Sequence, residues 1–234
     1  MAQETLDRIP TSEGSRKRWT LSAWVKLTDS DGDTHGVIYG VEGSSDTERL
    51  AIGFYNEYFY VWGTNTNFIK THKHFTDFSA WTHVCVAADT TTSHDHNRLK
   101  LWINGELISN DLDTDDRSTI SGDSDLGLNR KSARHAVGRD VGANAYHMSG
   151  NLYDLYLVDG SCLTPDVFAK NKPGTGSQNQ GNPKSTLHQN GQWVPILPSV
   201  VKSKINSEGG FGVNGFYLPL NDRKYAGADF HCDP

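Results

Sequence analysis

Arg98-Leu99-Lys100-Leu101-Trp102-Ile103 runs into Asn104-Gly105, and Glu106-Leu107-Ile108 runs out. Asn-Gly between two alternating runs is the strongest short-range signal for a β-hairpin, because a type I′ turn needs positive φ at both central residues. It commits this stretch to antiparallel pairing.

The same alternation recurs along the chain. In Trp19-Thr20-Leu21-Ser22-Ala23-Trp24-Val25-Lys26-Leu27, the residues Trp19, Leu21, Ala23, Val25 and Leu27 share one face. That is the period of a strand with one side on a core. Trp24 interrupts the other, polar face, so that face is expected to be partly covered. Gly36-Val37-Ile38-Tyr39-Gly40 reads as a short buried strand. Leu50-Ala51-Ile52-Gly53-Phe54-Tyr55 and Tyr58-Phe59-Tyr60-Val61-Trp62 flank Asn56-Glu57 as a hairpin rich in aromatic and β-branched residues. Residues 81–89, 135–139, 150–160 and 215–220 read as further strands, Pro219 marking an edge or a strand end.

Residues 109–131 are acidic and polar and predict a long loop. Residues 171–192 read as a surface excursion, and 193–201 as extended and proline-punctuated. The one helix candidate is Leu163-Thr164-Pro165-Asp166-Val167-Phe168-Ala169-Lys170, with Thr164 as N-cap and Pro165 in the first helical position. Roughly ten to fourteen short strands at frequent turn spacing predict an all-β antiparallel jelly-roll sandwich. Trp81 is expected in its core, so that Trp81→Ala would cost about 3–5 kcal/mol.

The chain has 234 residues and a net charge of −6. That length suits one sandwich domain. No basic stripe is present, which argues against a nucleic-acid partner. No apolar run approaches the ~20 residues of a membrane helix. Cys85, Cys162 and Cys232 have neither zinc spacing nor the density of a disulfide framework. They read as free thiols of a reducing cytoplasm. Met1-Ala2-Gln3-Glu4-Thr5 lacks the basic-then-apolar start of a signal peptide, so classical export is not expected.

Two segments carry a resemblance. Trp81-Thr82-His83-Val84 through Leu99-Lys100-Leu101-Trp102-Ile103-Asn104-Gly105, and Val137-Gly138-Arg139 with Gly150-Asn151-Leu152-Tyr153-Asp154, resemble the strand pairs of laminin-G-like and concanavalin-A-like domains. Three more segments resemble laminin-G-like proteins of tailed bacteriophages, described as tail-fibre or virion surface components: residues 8–26, Val158-Asp159-Gly160-Ser161-Cys162-Leu163-Thr164-Pro165, and Asn214-Gly215-Phe216-Tyr217-Leu218-Pro219-Leu220-Asn221-Asp222. The resemblance implies one jelly-roll domain over 1–234, with 171–212 a loop-rich insertion before a last strand that returns beside the first. It also implies a place on the virion surface after synthesis in the host cytoplasm. The partners would be other virion proteins, host-surface glycan and further copies of the chain, with no membrane.

Candidate chemistry is sparse. Asp29-Ser30-Asp31-Gly32-Asp33 offers alternating oxygens that could hold calcium through Asp29, Asp31 and Asp33. The glutamate that ends an EF-hand loop is missing, however, and a solvated turn explains the same residues. Asp111, Asp113, Asp115, Asp116, Asp123 and Asp125 form a second acidic run, read as a solvated loop. His72-Lys73-His74 and His94-Asp95-His96 could each present two imidazoles on one strand face, or be exposed loop histidines.

Aromatic rings stack on pyranose faces while amides bind hydroxyls, which makes Tyr55, Tyr58, Asn65 and Asn67 the candidate glycan-binding residues. Of the neighbouring rings most are expected in the core or on the concave sheet face, Trp62 among them. The carboxylate triplet of jelly-roll glucanases is absent, as are the Gly-x-Ser-x-Gly, His-Glu-x-x-His and Walker motifs. A non-enzymatic virion surface protein is therefore expected, as tail fibre or capsid decoration. The alternatives are a lectin-like module of cellular origin and a polysaccharide-degrading enzyme.

Overall fold

The computed structural model describes residues 5–28, 35–172 and 191–220. The strands are β1 (Leu6–Arg8), β2 (Arg18–Leu27), β3 (His35–Val41), β4 (Leu50–Tyr55), β5 (Tyr58–Trp62), β6 (Asn67–Thr71), β7 (Thr82–Asp89), β8 (Leu99–Ile103), β9 (Glu106–Leu107), β10 (Leu112–Asp115), β11 (His135–Val137), β12 (Gly150–Asp159), β13 (Ala169–Lys172), β14 (Gln192–Pro195) and β15 (Phe216–Leu218). A single α-helix among the described residues, α1, spans Pro198–Ser207.

Seven strands form one sheet in the order β1-β11-β3-β4-β5-β6-β10, and six form another in the order β15-β12-β2-β7-β8-β9. β13 and β14 pair separately. Every pairing is antiparallel. The Asn104-Gly105 turn has φ of 50° and 82°, as the hairpin reading requires. The result is the antiparallel β-sandwich expected from the alternation.

Two cores follow from the two faces of the six-stranded sheet. Its inner residues, such as Trp19, Leu21, Val84 and Leu155, meet Ile52, Phe54 and Phe59 of the seven-stranded sheet. On its outer face Cys85, Trp102, Tyr156 and Tyr217 pack beneath Phe168, Val201 and Ile205. Trp24, on the interrupted face of β2, is buried as well, with its ring 5.0 Å from that of His83. Trp193 of β14 fastens the cover: its indole N–H donates to Nδ1 of His83 at 3.0 Å, and the other ring nitrogen of His83 lies 2.9 Å from Ser22 Oγ. Since Nδ1 accepts, the proton of this neutral imidazole sits on Nε2 and is donated to Ser22.

A second anchor lies at the end of β12. Asp159 Oδ1 accepts from Ser15 N at 2.6 Å and Asn129 Nδ2 at 3.2 Å, and its Oδ2 accepts from Asn214 N at 2.9 Å. Arg8 donates to Asn214 O and Oδ1 at 2.9 and 3.1 Å.

Several expectations are corrected. Residues 163–170 do not form the α-helix: Pro165–Val167 is a 3₁₀ turn, and Ala169 is already in β13 opposite Pro195. Thr164 makes no capping bond to the backbone. The helix starts instead within the stretch read as extended, 193–201, and runs on to Ser207. Pro198 starts it, as suits a residue without an N–H, and Val201 and Ile205, one turn apart, are buried. With only two buried apolar positions the 3.6-residue period is faint in the sequence.

Residues 109–131 are not a plain loop. They hold β10 and a 3₁₀ turn at Arg117–Thr119, and bury Ile120, Leu126 and Leu128. Arg117 supplies the reason, because its guanidinium grips both oxygens of Asp115 at 2.5 and 2.6 Å and neutralises the acid locally. β15 does not return beside β2; it pairs with β12, which separates the two. Trp81 is not a core residue. It is 43% exposed, whereas Trp19 is 0% exposed, so truncating Trp81 removes little buried surface. Cys85 and Cys162 are free thiols. Cys232 lies outside the described residues.

Burial pushes His83 down to about 3 and His135 down to about 4. Both stay neutral in the folded protein, while in the unfolded chain they titrate near 6.5. Their contribution is intact above pH 6.5 and is lost on acidification, by up to ~1.4 kcal/mol per pH unit for each histidine. Urea unfolding at pH 6.5, 5.5 and 4.5 is expected to show this fall. In His83→Gln, which keeps a donor and an acceptor, the slope drops by about one histidine's share.

Candidate functional site

The candidate site lies on the outer face of the seven-stranded sheet. Strand β5 alternates: Phe59 and Val61 enter the core, while Tyr58, Tyr60 and Trp62 project the other way and stay half-buried. Pairing sets their neighbours. Tyr58 faces Tyr55, Tyr60 lies between Gly53 and Lys70, and Trp62 lies between Ala51 and Asn67. The large rings thus stand beside small residues on one flank and polar ones on the other.

The rings form a connected series. Tyr55 meets Tyr60 at 6.0 Å and Tyr60 meets Trp62 at 6.2 Å, both edge to face. Tyr146, from the connection between β11 and β12, meets Tyr55 at 5.3 Å. Edge-to-face geometry is what the ring quadrupole favours. Tyr58 is more occupied, with Lys70 Nζ lying 4.2 Å from its centroid and His74 packing at 4.1 Å.

Charges along the border are paired. Asp113 takes Lys70 Nζ at 2.9 Å and His72 Nδ1 at 2.7 Å. The bonds from His72 and Lys70 hold the Asp113 carboxyl below its ordinary value, and the bond to Asp113 holds Lys70 above its own.

Trp62 is fixed from behind. Its indole N–H donates to Asp140 Oδ2 at 3.1 Å, and the same buried carboxylate pairs with Arg49. Asp140 opens a small hairpin whose backbone closes on Ala145. That hairpin lies so close to β3 that a Cβ on Gly40 would stand 2.4 Å from Arg139 O.

The four predicted glycan residues are not gathered into one spot. Tyr55 and Tyr58 are a cross-strand pair at one end of β5. Asn65 and Asn67 are exposed at the other end, in and after the turn to β6. Four residues of strand separate the ends, about 13 Å. The Asn65 backbone N–H is held by Asp46 Oδ1 at 2.8 Å. Between the ends stand Tyr60 and Trp62, which are not among the four. Of the two places expected for Trp62, the core and a sheet face, it takes a sheet face. Its signal was the alternation Tyr58-x-Tyr60-x-Trp62, which separates the two faces without saying which one is covered. Tyr146 and Asp140 carried no local signal.

The other candidates disperse. His72 pairs with Asp113, whereas His74 turns to Glu57 at 3.3 Å. His96 faces Asp95 and Asp115 at 3.1 and 3.5 Å. The acidic run is met by cations of the chain itself, Asp123 by Lys17 and Asp125 by Arg16. No group of three potential metal ligands is gathered among the described residues. Asp29, Asp31 and Asp33 lie outside them.

Asp140→Ala is expected to cost about 3–5 kcal/mol, because it leaves the Arg49 charge uncompensated beside an unpaired indole N–H. Chemical denaturation checks the magnitude, and a change below 1 kcal/mol would show that the clamp is slack.

A family model described as the concanavalin A-like lectin/glucanases superfamily matches residues 7–168. No curated protein matches the chain. Among solved structures, a candidate carbohydrate binding protein from Bacteroides ovatus is 18% identical, with a TM-score of 0.45, over 69% of this chain and 42% of that one. The chain therefore spans less than half the length of that protein. A SAP-like pentraxin from Limulus polyphemus is 12% identical, with a TM-score of 0.41, over 69% and 78% of the two chains. The Ruminococcus gnavus sialidase module CBM40, bound to α2,3-sialyllactose, is 16% identical, with a TM-score of 0.44, over 69% and 95%. At these identities the likeness is one of fold.

Proposed function

We propose that this chain, which belongs to the concanavalin A-like lectin/glucanases superfamily, is a non-catalytic carbohydrate-binding module that uses the aromatic face of the seven-stranded sheet. One observation carries the reading. Tyr146, Tyr55, Tyr60 and Trp62 form a linked aromatic series on an outer sheet face, while the outer face of the other sheet is closed by α1 and β14. Aromatic rings with polar tips suit a ligand that is apolar on its ring faces and wet at its edges. A pyranose is such a ligand, with Lys70 and Asn67 at the border to meet hydroxyls.

The carboxylates near the rings argue against hydrolysis. A glycosidase needs one protonated acid beside one ionised carboxylate. Asp113 is held ionised by His72 and Lys70, Asp140 is buried behind Trp62 in a pair with Arg49, and Glu57 is paired with His74. A glycan array is expected to find binding by the wild type. Tyr60→Ala should weaken it at least tenfold, about 1.4 kcal/mol, without loss of fold. Retention of full affinity by Tyr60→Ala would move the site elsewhere.

A finer placement, on the surface of a tailed-phage particle as fibre or decoration protein, rests on the resemblance of residues 8–26, 158–165 and 214–222. Arg8, Ser15, Asp159 and Asn214 of these segments meet in one hydrogen-bonded cluster. The resemblance thus follows the framework of the fold, and role is carried over by analogy. Mass spectrometry of purified particles is expected to find the chain; its absence would leave the carbohydrate reading and remove the virion.

A further inference from the structure

One end of the sandwich carries an opening distinct from the aromatic face. A cleft of about 290 Å³ is lined by Phe54, Phe75, Asp77, Trp81 and Asn104 among others. A second, of about 360 Å³, is lined by Phe75, Asn104, Glu106, Leu107 and Asp111 among others. Both include Lys73, Phe75 and Asn104, so they are two compartments of one groove bent around the connection between β6 and β7. Each lies near or at the lower end of the range for small-ligand sites, about 300–1,000 Å³.

Its chemistry is mixed. Trp81 is the only Trp, Tyr or Phe classed as exposed among the described residues, and its ring is steadied edge to face by Tyr153 at 6.2 Å. The floor of its compartment is apolar, from Val25, Leu27 and Phe54. Asn104 stands where the compartments join. Its Oδ1 accepts from His83 N at 2.8 Å, and its Nδ2 makes no hydrogen bond within the described residues, which leaves a donor at the junction. In the charged lining Asp77 and Asp111 stand against Lys73.

We propose that this groove is a second saccharide subsite, with Trp81 as its stacking platform and with selectivity for neutral over anionic sugars. The proposal rests on the carbohydrate reading above and extends it from a face to a path. His74 lines the groove and packs on Tyr58, so the groove adjoins the aromatic face around the rim. An exposed indole over an apolar floor meets a pyranose ring face, and Asn104 meets a hydroxyl. Asp77 and Asp111 against the one ammonium of Lys73 disfavour a sialic or uronic acid, because like charges brought together cost free energy.

The test uses an array of neutral hexose oligosaccharides of two to six units and their terminally sialylated counterparts. The proteins compared are the wild type, Trp81→Ala, Trp81→Phe and Tyr60→Ala. The wild type is expected to prefer the neutral series. Trp81→Ala should lose at least tenfold in affinity for the longer members, and Trp81→Phe should recover most of it. Melting temperatures of the Trp81 variants should stay near the wild-type value, since the ring is largely exposed. Equal binding by the wild type and Trp81→Ala overturns the groove, and so does a preference for sialylated ligands. Loss of binding in Tyr60→Ala with no effect at Trp81 removes the groove and leaves the carbohydrate reading. Failure of the wild type to bind any glycan removes both.

Discussion

Four stretches of chain converge on the buried carboxylate of Asp159. It ends β12, and it accepts from the backbone of Ser15, the side chain of Asn129 and the backbone of Asn214. Asn214 in turn holds Ser12 O and receives Arg8. β1, just beyond this arm, belongs to the seven-stranded sheet, while β12 and β15 belong to the six-stranded one. Through Asn214 and Arg8, Asp159 therefore links β12 of one sheet to β1, the edge strand of the other. Burial raises the Asp159 carboxyl above its ordinary value against the pull of the Asn214 and Ser15 amides, so those donors compensate a real desolvation cost. The chain makes room for the cluster with glycine: a Cβ on Gly14 would stand 2.2 Å from Asp159 Oδ2, and Gly212, at φ 73°, would place one 2.1 Å from Asp159 O.

This tie decides which surfaces remain for function. With residues 8–15 and 212–218 drawn to the end of β12, the described parts of the segment between β12 and β15 pack on the outer face of the six-stranded sheet. There α1 and Phe168 bury Tyr156 and Cys85, and the Trp193–His83–Ser22 chain seals it. The hairpin opened by Asp140 lies against β3 of the opposite sheet and fixes Trp62. Beside it the aromatic series stays half-buried. The asymmetry of the two outer faces is what leaves the aromatic series on the less covered one among the described residues.

The candidate site was half legible. Tyr55 and Tyr58 are adjacent, because a two-residue turn forces them across from one another. Trp62 and Tyr60 were hidden by the symmetry of alternation, since period two distinguishes two faces and is silent on which is covered. Asp140 could not be found at all: it lies 78 residues from Trp62, whose indole it fixes. Trp81 illustrates the same limit in reverse. It has the parity of His83, Cys85 and Ala87, which are buried. It precedes β7 and lies beyond the reach of the cover that shields them.

By itself the sequence determined that the chain pairs antiparallel, where its hairpins turn, and that the polar face of β2, interrupted by Trp24, must be partly covered. Those are local consequences of side-chain period and turn stereochemistry, and antiparallel pairing holds in every described strand from β2 to β15. Only the tertiary structure decided which strands share a sheet, that Pro198 begins a helix, which outer face is closed, and that Arg117 would neutralise the acidic stretch. Each of these depends on what a residue meets rather than on what it is. Partners separated by scores of residues are chosen by global packing, which no window of sequence contains.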